Sequence, residues 1–198
     1  QCHGSGAAGS QNLGYPNLND DDWLWGGDLR AIEYTLTHGI RQAGHDETRM
    51  SIMPAFEGML EPAQVEAVVS HVLSLSGKAE GSALGAQTFA DNCAVCHGAR
   101  GEGSREFGAP NLSDAIWLRG STREDIRRQA LTPRLGMMPK WEGRLDPVTI
   151  KMLAAYVHSL GGGEDFVEVA EDPAVEVDVY QKLCARRGIA LYPGFDGG

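Results

Sequence analysis

One periodic pattern occurs twice along the chain. Val65, Val68, Val69, Val72 and Leu75 recur at three- and four-residue spacing with mostly polar or small residues between them, and so do Ile150, Leu153, Ala154, Val157 and Leu160. Such a stripe is the buried face of a helix lying on a core. Each stretch opens on an acidic residue followed by proline, Glu61-Pro62 and Asp146-Pro147, which suits an N-cap with proline at the first helical position. Each is stopped by glycine, at Gly77 and at Gly161-Gly162-Gly163. A third helix is expected from about Leu84 to Cys93, with Phe89 inward and Gly85 permitting a close helix crossing. Shorter helices are expected over 28–38 and 123–131. Strand signals are weak, so the predicted fold class is all-α.

The two stripes belong to a longer repeat. A shift of 94 residues places Cys2-His3-Gly4 on Cys96-His97-Gly98, Pro16-Asn17-Leu18 on Pro110-Asn111-Leu112, Asp20 on Asp114, Trp23 on Trp117 and Ile32 on Ile126. Beyond that point the shift becomes 85, and Met53-Pro54 falls on Met138-Pro139, Leu60 on Leu145 and Pro62 on Pro147. A nine-residue insertion in the first copy, between Ile32 and Met53, accounts for the change. The organisation read from this is two homologous domains, 1–78 and 79–162, followed by 163–198, an acidic tail without a counterpart that is expected to be flexible. Cys184 lies in that tail without a histidine neighbour and is read as a bystander.

Composition narrows the functional classes. The 198 residues are 42% hydrophobic and 22% charged, with a formal net charge of −10. Nucleic acid calls for a basic face, so it is not an expected partner. The acidity fits basic partners, or solubility alone. No run of about 18 apolar residues is present to span a membrane, and the first residues lack the pattern of a signal peptide. Because the sequence starts at Gln1 without a methionine, it is read as a fragment or processed product. Units of this size make marginal cores and commonly need a staple or metal.

The staple is legible in Cys93-Ala94-Val95-Cys96-His97, the attachment pattern for a c-type haem. Two thiols three residues apart can each join one haem vinyl group, and the adjacent histidine then lies beneath the iron. Half a zinc site or a redox CxxC are the rival readings. Zinc would need a second ligand pair, and no second CxxC is present; a redox motif would need a βαβ context. In the first copy only the end of the pattern, Gln1-Cys2-His3, is seen, and the partner cysteine and preceding helix are expected upstream of Gln1. The sixth iron ligands are expected to be Met53 and Met138, which superpose under the repeat and precede proline. The expected pairs are therefore His3 with Met53 and His97 with Met138. Met50, Met59 and Met137 lack the match. His71 and His158 are read as surface or packing residues, and His38 and His45, in or near the insertion, stay open as alternative ligands. Pro16 and Pro110 follow their histidines by 13 residues, where a loop carbonyl can accept the imidazole Nδ1–H and fix its tautomer. Trp23 and Trp117 are candidates for the haem edge or a propionate, with plain core packing as the alternative.

CxxCH, Pro-Asn-Leu and Met-Pro in this order resemble class I cytochrome c domains over nearly all of 1–162. Further stretches are more specific: 20–27 (DDDWLWGG), 33–41 (EYTLTHGIR), Met53-Pro54-Ala55-Phe56 and 145–163 (LDPVTIKMLAAYVHSLGGG) resemble the dihaem subunit III (CcoP/FixP family) of cbb3-type cytochrome c oxidases. The resemblance implies two haem c groups, with thioethers at Cys2, Cys93 and Cys96 and iron ligands at His3, Met53, His97 and Met138. It implies a protein anchored to the bacterial inner membrane by a helix outside this sequence, its haem domains on the periplasmic side. Electrons would pass from a donor cytochrome c towards the catalytic subunit, which reduces O2 and pumps protons, with a monohaem cytochrome c subunit as a further partner. The chain itself would transfer electrons without catalysis. The tail from about Asp165 does not match the family pattern. Alternatives are the cytochrome subunit of a periplasmic dehydrogenase and, less consistent with two Met-Pro sites, a dihaem peroxidase. A haem-based sensor would need an output domain larger than this tail.

Overall fold

The computed structural model describes residues 2–165; the tail from residue 166, with Cys184, lies outside the described residues. Six helices occur among them: α1 (Leu29–His38), α2 (Pro62–Leu75), α3 (Ala83–Asn92), α4 (Ala94–His97), α5 (Arg123–Leu131) and α6 (Pro147–His158). Apart from isolated bridges, such as Ser10 with Tyr15 and Ser104 with Ala109, the rest is turn and loop.

Local chemistry sets the helix starts. Asp28 accepts from the backbone N–H of Arg30 and Ala31, and Asp146 from those of Val148 and Thr149. At α2, the Gln64 side chain accepts from the Glu61 N–H at 3.0 Å. Ser82 caps α3 through the Gly85 N–H, and Thr122 and Asp125 cap α5 reciprocally. Each cap satisfies donors that the first helical turn would otherwise leave open.

The helices pack across the repeats. The closing helix of the first copy, α2, lies on α3 and α5 of the second copy, while α6, the closing helix of the second copy, lies on α1 of the first. Val68 and Val72 of α2 are buried with Phe89 of α3, against Leu112, Trp117 and Ile126. Val65, Val69 and Leu73 form a second cluster with Leu60, Ala79, Ile126 and Leu131. Gly85 sits directly on the Ala67 carbonyl, where a side chain would collide with the backbone of α2. Outside the apolar contact, Glu66 on α2 pairs with Arg127 on α5 at 2.6 Å. At the other end of the molecule, Ile32 of α1 and Ile150 and Ala154 of α6 are buried. The Trp23 indole N–H donates to the Gly162 carbonyl at 2.5 Å, and Gly27 and Glu164 exchange hydrogen bonds of 2.8 and 3.0 Å.

Two loops carry the crossing, 39–61 and 132–146. They meet as an antiparallel bridge in which the N–H of Ile40 donates to the Met138 carbonyl at 2.9 Å and that of Met138 to the Ile40 carbonyl at 3.0 Å. Further along, Phe56 donates to Ala130 and Glu57 to Leu131, whereas Trp141 donates to Leu36 and Glu142 to Thr37. After these loops, each chain segment is committed to the other copy.

Acidic side chains collect on the seam between copies. Burial first, then the charges of Asp114, Asp20 and Asp21, push the Asp22 carboxyl up from 3.8 to about 6. The folded protein therefore holds this proton more tightly than the unfolded chain, and stability contributed here falls as pH rises through the window from 3.8 to about 6. Asp22→Asn is expected to raise the melting temperature at pH 7 and to leave it nearly unchanged below the lower edge of that window, as thermal melts at the two pH values would register. Gly85→Leu is expected to cost about 1–3 kcal/mol by forcing α3 off the Ala67 backbone, read as a lowered denaturation midpoint; an unchanged midpoint would show that α2 and α3 do not cross there.

Candidate functional site

The CxxCH stretch folds as the end of α3 and the short helix α4. Cys93 stands between the two, its N–H bonded to the Phe89 carbonyl at 2.8 Å, and its own carbonyl accepts from Cys96 and His97. This turn brings both cysteines, present as thiols, to the end of the helical pair with His97 beside them. His97 is buried, and its Nδ1 donates to the Pro110 carbonyl at 3.0 Å. Burial holds its pKa below the usual imidazole value against the opposing pull of that hydrogen bond. The ring is therefore neutral, its proton is on Nδ1, and Nε2 presents a lone pair.

The first copy repeats the arrangement. His3 Nδ1 donates to the Pro16 carbonyl at 2.9 Å, again across 13 residues. In both copies the loop is closed in the same way: the N–H of Gly9 donates to His3 and that of Gly103 to His97, while Leu18 reaches Ala7 and Leu112 reaches Gly101. Cys2 is exposed beside His3.

The two tryptophans differ. Trp23 is satisfied by Gly162, as described, and so has no hydrogen left for a cofactor. The Nε1–H of Trp117 is buried with no hydrogen-bond partner among the described residues, and the Lys78 ammonium lies 5.1 Å from its ring centroid. Buried indole N–H groups are normally paired, so the site asks for an acceptor that the described residues do not supply. A propionate of a haem joined to Cys93 and Cys96 would be such an acceptor. The thiols, the neutral imidazole and this donor together fit a c-type haem.

Met53 and Met138 are half-buried, whereas Met137 is exposed. Each lies on a crossing loop. Met138 is tied by its backbone to Ile40, directly after α1 of the first copy, and Gly136 approaches the Gly14 carbonyl in the loop that follows His3. On the other loop, the Ser51 hydroxyl donates to the Phe107 carbonyl, in the loop that follows His97. Each methionine-bearing loop is thus tied to a loop of the opposite copy. Repeat register matches positions in sequence and carries no information on which copy a closing segment joins.

The other histidines are accounted for by local contacts. His71 packs beside Phe89 at 5.2 Å between centroids, and His158 Nε2 donates to the Glu164 carbonyl at 3.0 Å. His38 and His45 contact each other at 2.9 Å. Sequence reading missed Arg41, a non-glycine residue at φ 53°. Its Nε donates to Gly136 at 2.7 Å and one Nη to Ser51 at 3.0 Å, so a single guanidinium ties the two crossing loops together. Only the fold reveals this role; the family stretch 33–41 contains Arg41 without assigning it one.

Two family models match the chain: that of cytochrome c over residues 1–76, and that of cytochrome c oxidase, cbb3-type, subunit III over residues 82–157. The cbb3-type cytochrome c oxidase subunit CcoP of Cereibacter sphaeroides is 55% identical over 169 residues, covering 83% of this chain and 58% of its own length. The subunit FixP of Rhizobium meliloti is 54% identical over 167 residues, covering 83% of this chain and 57% of its own length, and FixP of Bradyrhizobium sp. is 53% identical over 169 residues, covering 82% and 57%. The chain therefore spans a little over half the length of these curated relatives. With two cytochrome c domains in all-helical form and this degree of identity over most of its length, the chain belongs to the CcoP/FixP family, subunit III of cbb3-type cytochrome c oxidases.

Proposed function

We propose that the chain is an electron carrier holding two haem c groups, with His3 and Met138 on one iron and His97 and Met53 on the other. The observation that carries this reading is the matched pair of imidazole-to-carbonyl bonds, His3 to Pro16 and His97 to Pro110, which frees one Nε2 lone pair in each copy. Haem iron supplies reversible one-electron chemistry when bound. The protein residues do the rest. The prolyl carbonyls fix each imidazole in one tautomer and orientation, which also raises its basicity towards a metal. A methionine thioether on the iron would favour the ferrous state and leave no ligand position open to O2 or peroxide. Trp117 would hold a propionate through its indole N–H.

Within the whole protein, electrons would enter from a donor cytochrome c and leave towards the catalytic subunit of the oxidase, with the monohaem subunit alongside. Relatives named as oxidase subunits support this setting, as does the net charge of −10, which suits encounter with a basic donor. The haem domains would face the periplasm from an anchor in the inner membrane; among the described residues no helix is long and apolar enough to cross a membrane.

Two measurements test the reading. A haem count on the full-length protein matured in the periplasm is expected to give two covalent haems, both six-coordinate and both inert to carbon monoxide. A single haem, or ready CO binding, would favour the peroxidase alternative. For the exchange of ligands, Cys93 and Cys96 are replaced by alanine so that only the first copy carries haem. Met138→His is then expected to lower the potential of that remaining haem in a redox titration, and Met53→His to leave it unchanged. The reverse result would restore the in-chain pairs.

A further inference from the structure

The insertion that breaks the repeat builds a cluster of two histidines and a carboxylate. His38 ends α1, and the loop 39–49 folds back over it. The loop is closed by hydrogen bonds from Arg41 N–H to Arg49 at 2.9 Å and from Arg49 N–H to Gly39 at 3.1 Å. Thr48 fastens it from within, its hydroxyl accepting from the Gln42 N–H at 3.0 Å. The Tyr34 hydroxyl holds the Glu47 carbonyl at 2.8 Å. The result places His45 and Glu47 against His38. His38 Nδ1 lies 2.9 Å from His45 Nε2 and 3.6 Å from Glu47 Oε2, and all three ligand atoms lie within 4.8 Å of one another. The His38 side chain is mostly covered at 14% exposure, and Glu47 is open to solvent at 65%.

We propose that His38, His45 and Glu47 form a binding site for a divalent transition-metal ion, best suited to Zn2+. The argument is chemical and geometric. Two imidazole nitrogens in contact share a single proton, and a cation can take its place because both nitrogens then offer lone pairs. Zinc bonds of about 2.0–2.2 Å to nitrogen and carboxylate oxygen put neighbouring ligand atoms about 3.3 Å apart on a tetrahedron, and the separations of 2.9 and 3.6 Å fall on either side of that value. Turning the rings by a small amount makes the lone pairs converge on the side of Glu47. Two imidazoles and one carboxylate suit zinc and exclude magnesium, which takes oxygen ligands. The fourth position remains for water, reached past the exposed carboxylate.

One neighbour opposes the ion. Lys140 Nζ lies 3.4 Å from His45 Nδ1 and 3.3 Å from Glu142. When His45 Nε2 takes the metal, the ring proton moves to Nδ1, so Lys140 must leave that nitrogen and rely on Glu142. Its charge also repels the cation.

The test is calorimetric titration of Zn2+ into the haem-loaded, chelator-treated protein. One equivalent is expected to bind, while Mg2+ gives no heat of binding. Glu47→Gln, at an exposed position that leaves the fold intact, is expected to weaken zinc by about tenfold or more, and His45→Gln to remove the site with the haem spectrum unchanged. Lys140→Gln is expected to bind zinc more tightly. A native protein that takes up no zinc, or zinc binding undiminished in both Glu47→Gln and His45→Gln, would overturn the proposal.

Discussion

The structure depends on where α2 is seated. Its valine face needs a partner, and the partner it finds is α3 of the other copy, reached so closely at Gly85 that the two backbones touch. Once Val68 and Val72 are buried on Phe89, α5 must cover the remaining side of α2, which it does through Ile126, Leu131 and the ion pairs of Glu66. By the same topology α6 is left for α1. Burial of one apolar stripe thus decides the course of both crossing loops and the placement of both methionines. Helix stability in proteins comes mainly from such packing and only weakly from intrinsic propensity. α5 is an example, with five charged residues among nine and stability that rests on its caps and its contacts with α2.

Much of this was readable from the sequence. The caps at Glu61 and Asp146, the proline starts and the glycine stops define the helices because they are local, within reach of one turn of chain. The histidine-to-proline carbonyl bonds were also accessible, since both partners fall inside one short loop whose length the repeat preserves. What the sequence did not disclose is non-local. Whether α2 packs on its own copy or on the next depends on the reach of 39–61 and 132–146 and on a competition between two similar apolar surfaces. Both copies carry the same stripe, so periodicity cannot choose between them. Trp23 and Trp117 illustrate the same limit. They superpose in the repeat, yet one indole N–H is consumed by Gly162 across the molecule and the other is left buried without an acceptor.

The asymmetry between the copies also has a local source. The insertion lengthens only the first crossing loop, and that extra length is spent on the closed turn that brings His45 and Glu47 back to His38. Arg41 stands at its base in a left-handed conformation, which costs a non-glycine residue strain. Its bonds to Gly136 and Ser51 offset that cost, and they hold the two loops at a fixed spacing. A loop that only connected helices would have no need of such a residue.

These constraints bear on why two copies are joined in one chain. If the closing helices were seated at home, either copy would be a complete carrier, and the linker would serve only to keep them near each other. With the helices exchanged, the closing helix of each copy rests on helices of the other. The bridge between Ile40 and Met138 then joins the loop that leads to Met53 to the loop that leads into α6. A displacement of one crossing loop is felt at both, because Arg41 binds the two together. Under the proposed function the unit of electron transfer would then be the pair, with both potentials set by one shared frame.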